Sequence, residues 1–276
     1  MFGVFRIAIL DAVSSDDVLA IETISRNCFR SFAGFPNAEL LDDGKIFGVM
    51  SHVPIPFFSG IASTNLDAND VDGQVDAVIE VLRKKACPFR WWVTPSTRPE
   101  GLASVLRSRG LRHAYDAPGM IADLTSVALD TPLPRDITMR QLTNADELGP
   151  WLDVFMTVFS RPEHEREIWR DAYVRCGFGE AAPWQHFVAF DGDAPLATTS
   201  ILVDGDLAGV YYVATLPEAR GRGIGSAVTR AAMRYARDIG ATHAALQSSE
   251  SGFGVYRALG FVQHCIVSAY EWRPED

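Results

Sequence analysis

Hydrophobic and polar residues follow strand and helix periods over most of the chain. Before residue 130 the pattern predicts a buried opening strand, two paired strands, a helix, another buried strand, a second helix that ends at Gly110, and a closing strand. The corresponding segments are, in order, MFGVFRIAIL, IFGVMSHVP, FFSGIASTNL, DVDGQVDAVIEVLRKKA, FRWWVTPST, PEGLASVLRSRG and GMIADLTSV. This mixture of strands and helices predicts an α/β domain.

A second region begins after LDTPLPRDIT, where two prolines interrupt the periodic pattern. It predicts a strand in ITMRQL, helices over 145–160 and in REIWRDAYVRC, and three strands joined by two Asp-Gly turns. A helix from about Gly225, a strand HAALQS, a short helix GVYRALG and a last strand FVQHCIVSAYEW follow. We therefore predict two domains, 1–130 and 131–276, which share a plan and descend from an old duplication.

The segment RGRGIG, Arg220–Gly225, places three glycines and two arginines between a predicted strand and a predicted helix. The N–H groups of a first helical turn have no partner inside the helix and lie at the positive end of its dipole. Glycines let the backbone approach phosphate oxygens closely, and Arg220 and Arg222 add positive charge. The segment therefore predicts a phosphate site, with a solvated glycine-rich turn as the alternative. Its spacing fits neither the GxGxxG order of dinucleotide folds nor a GK[ST] nucleotide loop.

The residues around this loop resemble a known family. VATLPEARGRGIG resembles motif A of the GNAT N-acetyltransferase superfamily, with Arg220, Gly223 and Gly225 at its loop positions. Further on, LQSSESGFGVYRALGF resembles motif B, where Tyr256 and the pair Gly260-Phe261 match. Two residues of this segment depart from the common pattern: Ser249 stands where many members have Asn, and Gly252 where many have Ala. The resemblance covers about residues 136–272 well and the first 130 weakly.

This resemblance implies two GNAT-like domains, each with a mixed, mostly antiparallel, twisted sheet flanked by helices. It implies acetyl-CoA, or another acyl-CoA, as co-substrate, and a small-molecule amine as acceptor. Tyr256 would protonate the CoA thiolate as it leaves. The implied cofactor contacts are Val213, Ala214, Thr215, Arg220, Gly221, Arg222, Gly223, Ile224, Gly225, Ser226 and Ser249.

Several points stay open at this stage. The candidates for the base that deprotonates the amine are Tyr211, His186, Glu163, His164, Glu165 and Glu167, with a water relay as a further option. The main alternative to an enzyme is a module that binds acyl-CoA as a sensor without turnover. A hydroxyl or thiol acceptor is a further alternative, and acceptor identity, acyl chain length and oligomeric state are not predicted.

Composition and charge narrow the functional classes. The 276 residues carry a net charge of −10, without a basic stripe, so we expect no nucleic-acid partner. No apolar run is long enough to cross a bilayer and no secretory signal stands out, so we expect a cytoplasmic protein without a membrane partner. The cysteines are far apart, with no metal-ligand spacing, so we expect free thiols and no metal: Cys28, Cys87, Cys176 and Cys265.

The first region lacks the features that predict the phosphate site. Where its own motif strand ends, the junction DANDVDGQVD offers one glycine, Gly73, and four aspartates: Asp67, Asp70, Asp72 and Asp76. Carboxylates there would repel a phosphate. In its outline of motif B, Val105-Leu106 stands near the position of Tyr256. We therefore predict a degenerate domain with a structural or acceptor-side role, and one acetyl-CoA per chain.

Overall fold

The computed structural model describes residues 15–274. The chain divides into two compact units, of which unit 1 contains the residues up to Gly119 together with those from Gln263 onward. Unit 2 spans Met120–Val262. The opening strand predicted in MFGVFRIAIL lies outside the described residues.

Among its described residues, unit 1 contains a mixed sheet and three α-helices. Its sheet order is β1-β2-β3-β4-β11, followed by the part of β5 that precedes Met120. The recorded pairs β1–β2, β2–β3 and β4–β11 are antiparallel, whereas β3 and β4 are parallel and joined by α2. The elements are α1 (Ser15–Ser31), β1 (Glu39–Asp42), β2 (Ile46–Met50), β3 (Gly60–Thr64), α2 (Val71–Lys84), β4 (Phe89–Val93), α3 (Leu102–Ser108), β5 (Arg112–Asp123) and β11 (Val262–Trp272).

Unit 2 repeats this plan with longer strands. Its sheet order is β5-β10-β9-β8-β7-β6, and β9 and β10 form the parallel pair, joined by α6. The other recorded pairs, β6 with β7, β7 with β8 and β8 with β9, are antiparallel. The elements are β6 (Ile137–Gln141), α4 (Leu148–Val158), α5 (Arg166–Cys176), β7 (Trp184–Asp191), β8 (Ala194–Asp204), β9 (Leu207–Thr215), α6 (Ile224–Asp238), β10 (His243–Gln247) and α7 (Phe253–Ala258).

The predicted fold class is confirmed, since both units have mixed, mostly antiparallel sheets flanked by helices. The bounds of the units differ from the predicted domains 1–130 and 131–276. The cause is packing: Met120, Ala122 and Leu124 are 0–2% exposed members of the unit 2 core. In turn, β11 pairs with β4, so the last strand of the chain completes the sheet of unit 1.

The helix that follows the glycine loop is fixed to the sheet by one apolar face. Along α6, Val228, Ala232 and Met233 are fully buried, and Ala232 and Met233 belong to the core beneath the sheet. Each fully buried aliphatic side chain contributes about 1.5–3 kcal/mol to folding. The first turn of α6 therefore has a fixed position relative to the end of β9. In the part of the chain that the structure describes, no helix is long and apolar enough to cross a membrane.

Candidate active site

The two parallel strands of unit 2, β9 and β10, are paired only near their starts. The paired residues of β9 and β10 run from Leu207–His243 to Gly209–Ala245. Beyond these pairs β9 continues to Thr215 and β10 to Gln247. The second half of β9 therefore has an edge that no recorded pair with β10 uses, and Val213 and Thr215 on it are partly exposed while Ala214 is buried. An edge of this kind can accept an extended ligand as an added strand.

A β-bulge bends β9 at the point where it leaves β10. Ser200 pairs with Tyr211 and Thr198 with Ala214, so Tyr212 and Val213 lie opposite the single residue Thr199. Tyr212 has φ 52°, which is rare for a residue other than glycine. The Thr198 hydroxyl, which is fully buried, donates to the Tyr212 carbonyl at 3.2 Å. Bulges increase the local twist and redirect the strand, so this one explains why β9 turns away from its neighbour.

The glycine loop lies between the end of β9 and the start of α6. Gly221 and Gly223 both have φ 76°, and a Cβ at either position would meet no atom within 4 Å. The backbone at both glycines is thus open, and the phosphate site there stays a prediction. Gly225 has a different reason to be glycine, because a Cβ there would lie 3.0 Å from the Thr215 hydroxyl oxygen.

The first turn of α6 presents backbone donors. The first intrahelical bond runs from the N–H of Ala227 to the Gly223 carbonyl, at 3.0 Å. The N–H groups of Ile224, Gly225 and Ser226 precede it, so they have no acceptor within the helix. Gly223, at the N-cap position, provides no side-chain cap. Three donors and the positive end of a helix dipole are therefore available to an anion.

The two arginines of the loop have different surroundings. Arg220 is exposed, and its Nε donates to the Thr215 carbonyl at 3.2 Å, which ties the loop to the end of β9. Arg222 forms an ion pair with Asp191 at 2.9 Å, and both side chains are about two-fifths exposed. Arg222 therefore shares its charge with a carboxylate, and Arg220 is the loop cation with no carboxylate among its recorded contacts.

Tyr256 lies on α7, with its ring against the core of unit 2. The ring is 5.9 Å from that of Phe261, edge to face. Burial raises the pKa of Tyr256 to about 12. Gly252 is glycine because a Cβ there would lie 2.8 Å from the Tyr256 ring. This contact gives a physical reason for the absence of Ala at that position.

Ser249 lies at the start of the same turn. Its hydroxyl oxygen accepts the N–H of Gly252 at 3.2 Å and lies 3.2 Å from the hydroxyl oxygen of Ser251. Ser249 thus stabilises the turn that carries Tyr256.

Two of the six candidate bases are held by arginines. Glu165 is buried and binds Arg161 through both oxygens, at 2.6 and 2.7 Å, and also accepts the Trp169 indole N–H at 3.1 Å. Glu163 pairs with Arg166 at 2.6 Å. Both carboxylates are thus engaged in contacts that hold the start of α5. His164 and Glu167 are exposed to solvent, and Tyr211 is partly buried.

His186 is fully buried in the middle of β7. Its Nδ1 lies 2.7 Å from the Ser200 hydroxyl oxygen, and burial lowers its pKa to about 3. Its ring centroid is 4.9 Å from that of Tyr173 and 5.8 Å from that of Trp151. A neutral imidazole enclosed by aromatic rings is a structural residue, so the geometry does not favour His186 as the base.

The thiols and the charged groups give no sign of a metal site. All four cysteines are free, and burial raises the pKa of Cys176 and Cys265 to about 12. Within residues 15–274, no group of three or more His, Cys, Asp or Glu side chains could hold a metal ion. The expectation that no metal takes part stays a prediction.

The matching region of unit 1 is closed by its own backbone. β3 and β4 pair at Gly60–Arg90 and Ile61–Trp91. Beyond them, the Arg98 N–H donates to the Thr64 carbonyl at 2.9 Å, and the Arg98 carbonyl accepts from Leu66 at 3.0 Å. The chain itself thus occupies the edge that is open on β9.

The acidic junction of unit 1 is also satisfied internally. Asp67 accepts the N–H of Asn69 at 2.9 Å. Arg109 binds Asp72 at 2.6 Å and Asp76 at 2.9 Å. Leu106, near the position that corresponds to Tyr256, is a fully buried core residue.

The fold and the sequence both match known proteins. A family model described as the acetyltransferase (GNAT) family matches residues 145–261. A mycothiol acetyltransferase of Geodermatophilus obscurus is 28% identical over 196 residues, which are 65% of this chain and 62% of that protein. The chain thus spans less than two thirds of the length of this curated relative.

Two solved structures share the fold over nearly the whole chain. A GCN5-related N-acetyltransferase from Kribbella flavida has a TM-score of 0.72 at 17% identity and covers 93% of this chain and 96% of its own. A tandem GNAT protein from the clavulanic acid biosynthesis pathway has a TM-score of 0.62 at 13% identity, with coverage of 97% and 98%. Residues 145–261 of unit 2, which contain the glycine loop and the end of β9, are thus similar to the GNAT acetyltransferase family.

Proposed function

We propose that this chain transfers an acetyl or other short acyl group from acyl-CoA directly to an amine, and that unit 2 binds the acyl-CoA. The observation that carries the proposal is the position of the glycine loop. Three N–H donors at the start of α6 lie beside the edge of β9 that the pairs with β10 leave unused. A pyrophosphate and an extended amide-containing arm are the two parts of CoA that such donors and such an edge would bind.

The pyrophosphate would lie on the loop from Arg220 to Ser226. The residues there fit it, since Gly221 and Gly223 leave room and Arg220 is exposed. The pantetheine arm would pair with backbone groups at Val213, Ala214 and Thr215. A backbone N–H on this edge would also polarise the thioester carbonyl.

Tyr256 would act on the CoA sulfur as a hydrogen-bond donor. Its pKa of about 12 keeps the phenol protonated at neutral pH. A thiol has a pKa of ~8.5, so complete transfer of the phenol proton would be uphill by about 5 kcal/mol. We therefore assign to Tyr256 the stabilisation of the developing thiolate, with the final proton supplied by solvent or by the amine.

A small-molecule acceptor has support from a relative. The protein from Geodermatophilus obscurus is a mycothiol acetyltransferase by name. Separately, the fold that the chain shares with the tandem GNAT protein of the clavulanic acid pathway includes residues of both units. The degenerate role of unit 1 belongs to this proposal, since its corresponding edge is closed by Arg98.

The test combines binding with turnover. Isothermal titration measures acetyl-CoA affinity, and thiol release is followed across polyamines, amino acids, aminoglycosides and peptide N-termini. Acceptor-dependent thiol release that is slowed about 10- to 100-fold in Tyr256→Phe would support the enzyme. Tight binding with no acceptor-dependent release across the panel would instead favour the sensor alternative, and no binding would exclude both.

A further inference from the structure

The bulge in β9 places two consecutive tyrosines on one side of the sheet. In a regular strand, neighbouring side chains point to opposite faces. At Tyr212 the positive φ changes this, and the ring centroids of Tyr211 and Tyr212 lie 6.0 Å apart. Both rings also face Trp184, at 5.2 and 6.4 Å. We refer to Tyr211, Tyr212 and Trp184 as the aromatic wall.

The wall is half-open towards the surface and closed behind. Tyr211 and Tyr212 are partly exposed, whereas Trp184 is buried. Behind them, Tyr212 contacts Trp151 of α4 at 5.9 Å and Tyr173 of α5 at 5.7 Å between ring centroids. The two helices therefore hold the wall rigidly, and a ligand would reach it from the side of the two tyrosines.

Two buried polar atoms behind the wall have no hydrogen-bond partner. They are Nε1 of Trp151 and Nε2 of His186, whose rings are 5.8 Å apart. Both side chains are fully buried. Such groups are costly to leave unsatisfied, so their presence points to a bridging water behind the wall.

The wall lies next to the proposed reaction centre. Tyr211 and Tyr212 immediately precede Val213, where the edge proposed for the pantetheine arm begins. An acceptor in contact with the two rings would thus lie beside the thioester.

The described elements around the wall carry carboxylates that are mainly paired with arginines or exposed to solvent, and the loop between α4 and α5 also carries the exposed His164. Among the described residues of α4, α5 and the loop between them, the carboxylates Glu165, Glu163 and Asp153 pair with arginines. Glu167 and Asp171 are exposed, whereas the buried residues of α5 are Trp169, Ala172 and Tyr173. On β7–β9 the carboxylates are Asp191, paired with Arg222, and Asp204 at the strand end. His186 is enclosed and bonded to Ser200.

We propose, on the basis of the proposed acyl transfer, that the aromatic wall binds an acceptor in which a weakly basic primary amine lies beside an aromatic or other flat apolar group. With a pKa of ~7.7–8.0, as for an α-amino group, roughly 10–20% of such an amine is neutral at pH 7, so the neutral form can attack without a protein base. Its nitrogen forms a bond to the thioester carbon as the carbon–sulfur bond breaks. The nitrogen loses one proton and the sulfur gains one, which gives an amide and free CoA thiol.

Four amines test separately whether the acceptor needs a ring and whether its amine needs to be weakly basic. Phenylalaninamide has a ring and a weakly basic amine, 2-phenylethylamine has a ring and a strongly basic amine, and alaninamide and ethylamine are their counterparts without a ring. At pH 7 we expect the highest kcat/KM for phenylalaninamide. The ring should raise kcat/KM about 2- to 10-fold, the usual range for one aromatic contact. For 2-phenylethylamine kcat/KM should rise about tenfold per pH unit, because only the neutral form reacts.

A matched pair of variants tests whether the preference for a ring arises at the aromatic wall. Tyr211→Leu should abolish most of the preference for the ring while acetyl-CoA affinity, measured by titration, persists. Tyr115→Leu makes the same change in unit 1 and should leave the preference intact. If Tyr211→Leu does not fold, the comparison of the four amines with the wild-type protein still tests the inference.

Three results would overturn the inference. They are equal kcat/KM with and without the ring, a pH profile for 2-phenylethylamine that flattens below its amine pKa, and no turnover of any of the four amines by a protein that binds acetyl-CoA. The last result leaves the proposed function standing, to be settled by the wider acceptor panel. Absence of acetyl-CoA binding would overturn the proposed function and this inference together.

Discussion

A carboxylate at Gly223 tests the phosphate site directly. Gly223 is the N-cap residue of α6 with φ 76°, and a Cβ there meets nothing within 4 Å. Gly223→Asp thus places a charge beside the N–H donors of the first turn without a clash. Gly223→Asn is the matched control, because Asn has the same shape and the same tolerance of positive φ, so the backbone strain of about 1–2 kcal/mol is common to both.

The size of the effect follows from Coulomb's law. Two unit charges 4 Å apart interact by about 4 kcal/mol at an effective dielectric constant of ~20. Gly223 and its neighbours Gly221 and Arg222 are exposed, so solvent and salt reduce this figure. We expect the Asp variant to bind acetyl-CoA about 10- to 100-fold more weakly than the Asn variant, which corresponds to roughly 1.4–2.7 kcal/mol.

Isothermal titration of wild type and both variants, at low and physiological salt, measures this difference. The gap between Asp and Asn should shrink as salt rises, since screening acts on the charge alone. Thermal unfolding of the two variants provides the control for folding, and their Tm values should agree within a few degrees. Equal acetyl-CoA affinities of the Asp and Asn variants at both salt concentrations would refute the placement of the phosphates on this loop.

Three further predictions concern other parts of the site. Tyr256→Phe should lower kcat about 10- to 100-fold with little change in KM for acetyl-CoA, because a hydrogen bond to a charged group is lost mainly in the transition state; equal single-turnover rates would contradict this. Since burial raises the pKa of Tyr256 to about 12, the phenol is protonated below that pH, and its ionisation should produce no fall in kcat below about pH 11 in a pH–rate profile. Thr198→Val should lower the free energy of unfolding by about 1–3 kcal/mol and reduce kcat, because the Tyr212 carbonyl loses its buried donor, whereas Thr198→Ser should restore both; a Val variant with wild-type stability and kcat would show that the bulge holds without it.

Much of the fold was predictable because the apolar periods are strong. The helix predicted in REIWRDAYVRC has the observed bounds Arg166–Cys176, with Trp169, Ala172 and Tyr173 on its buried face. The paired strands β2 and β3, the helices α2 and α6, and the turns at Gly192 and Gly205 are likewise confirmed. In each case the residues that decide the structure lie close together in sequence.

The elements α1 and β1 were absent from the sequence-based prediction. The signal for α1 was present, since Val18, Ile21, Ile24 and Cys28 recur at helical spacing and are buried. β1 is a short strand of four residues, and none of them is buried, so it carries almost no hydrophobic pattern. It forms because β2 offers a partner, which a local pattern does not reveal.

The glycine loop was predictable and the bulge was not. Glycine adopts positive φ readily, so the residue type at Gly221 and Gly223 indicates this conformation. Tyr212 has φ 52° although tyrosine disfavours positive φ. That conformation depends on the Thr198 hydroxyl from the neighbouring strand and on packing against α4 and α5. The duty of Glu165 was partly readable, since Arg161 lies four residues before it at ion-pair spacing. The burial of His186 depends on contacts distant in sequence.

The comparison of the two units gives a reason to expect a single acyl-CoA site. Both units have a parallel strand pair joined by a helix, β3-α2-β4 and β9-α6-β10. In unit 2 the later part of β9 has an edge free of recorded pairs with β10. The glycine loop leads into α6, whose first turn has three N–H groups without an acceptor in the helix. In unit 1, Arg98 bonds to Thr64 and Leu66 across the same position.

Removal of the closure in unit 1 would cost two backbone hydrogen bonds and expose Trp91, whose indole N–H donates to the Thr64 hydroxyl at 2.9 Å. A pantetheine arm that bound there would first have to offset the loss of these hydrogen bonds. We therefore expect titration of the full chain with acetyl-CoA to give one site per chain, lost in Gly223→Asp. A second site of similar affinity, or binding that survives in Gly223→Asp at the wild-type level, would mean that the Arg98 segment opens readily and that closure by the backbone does not decide which unit binds.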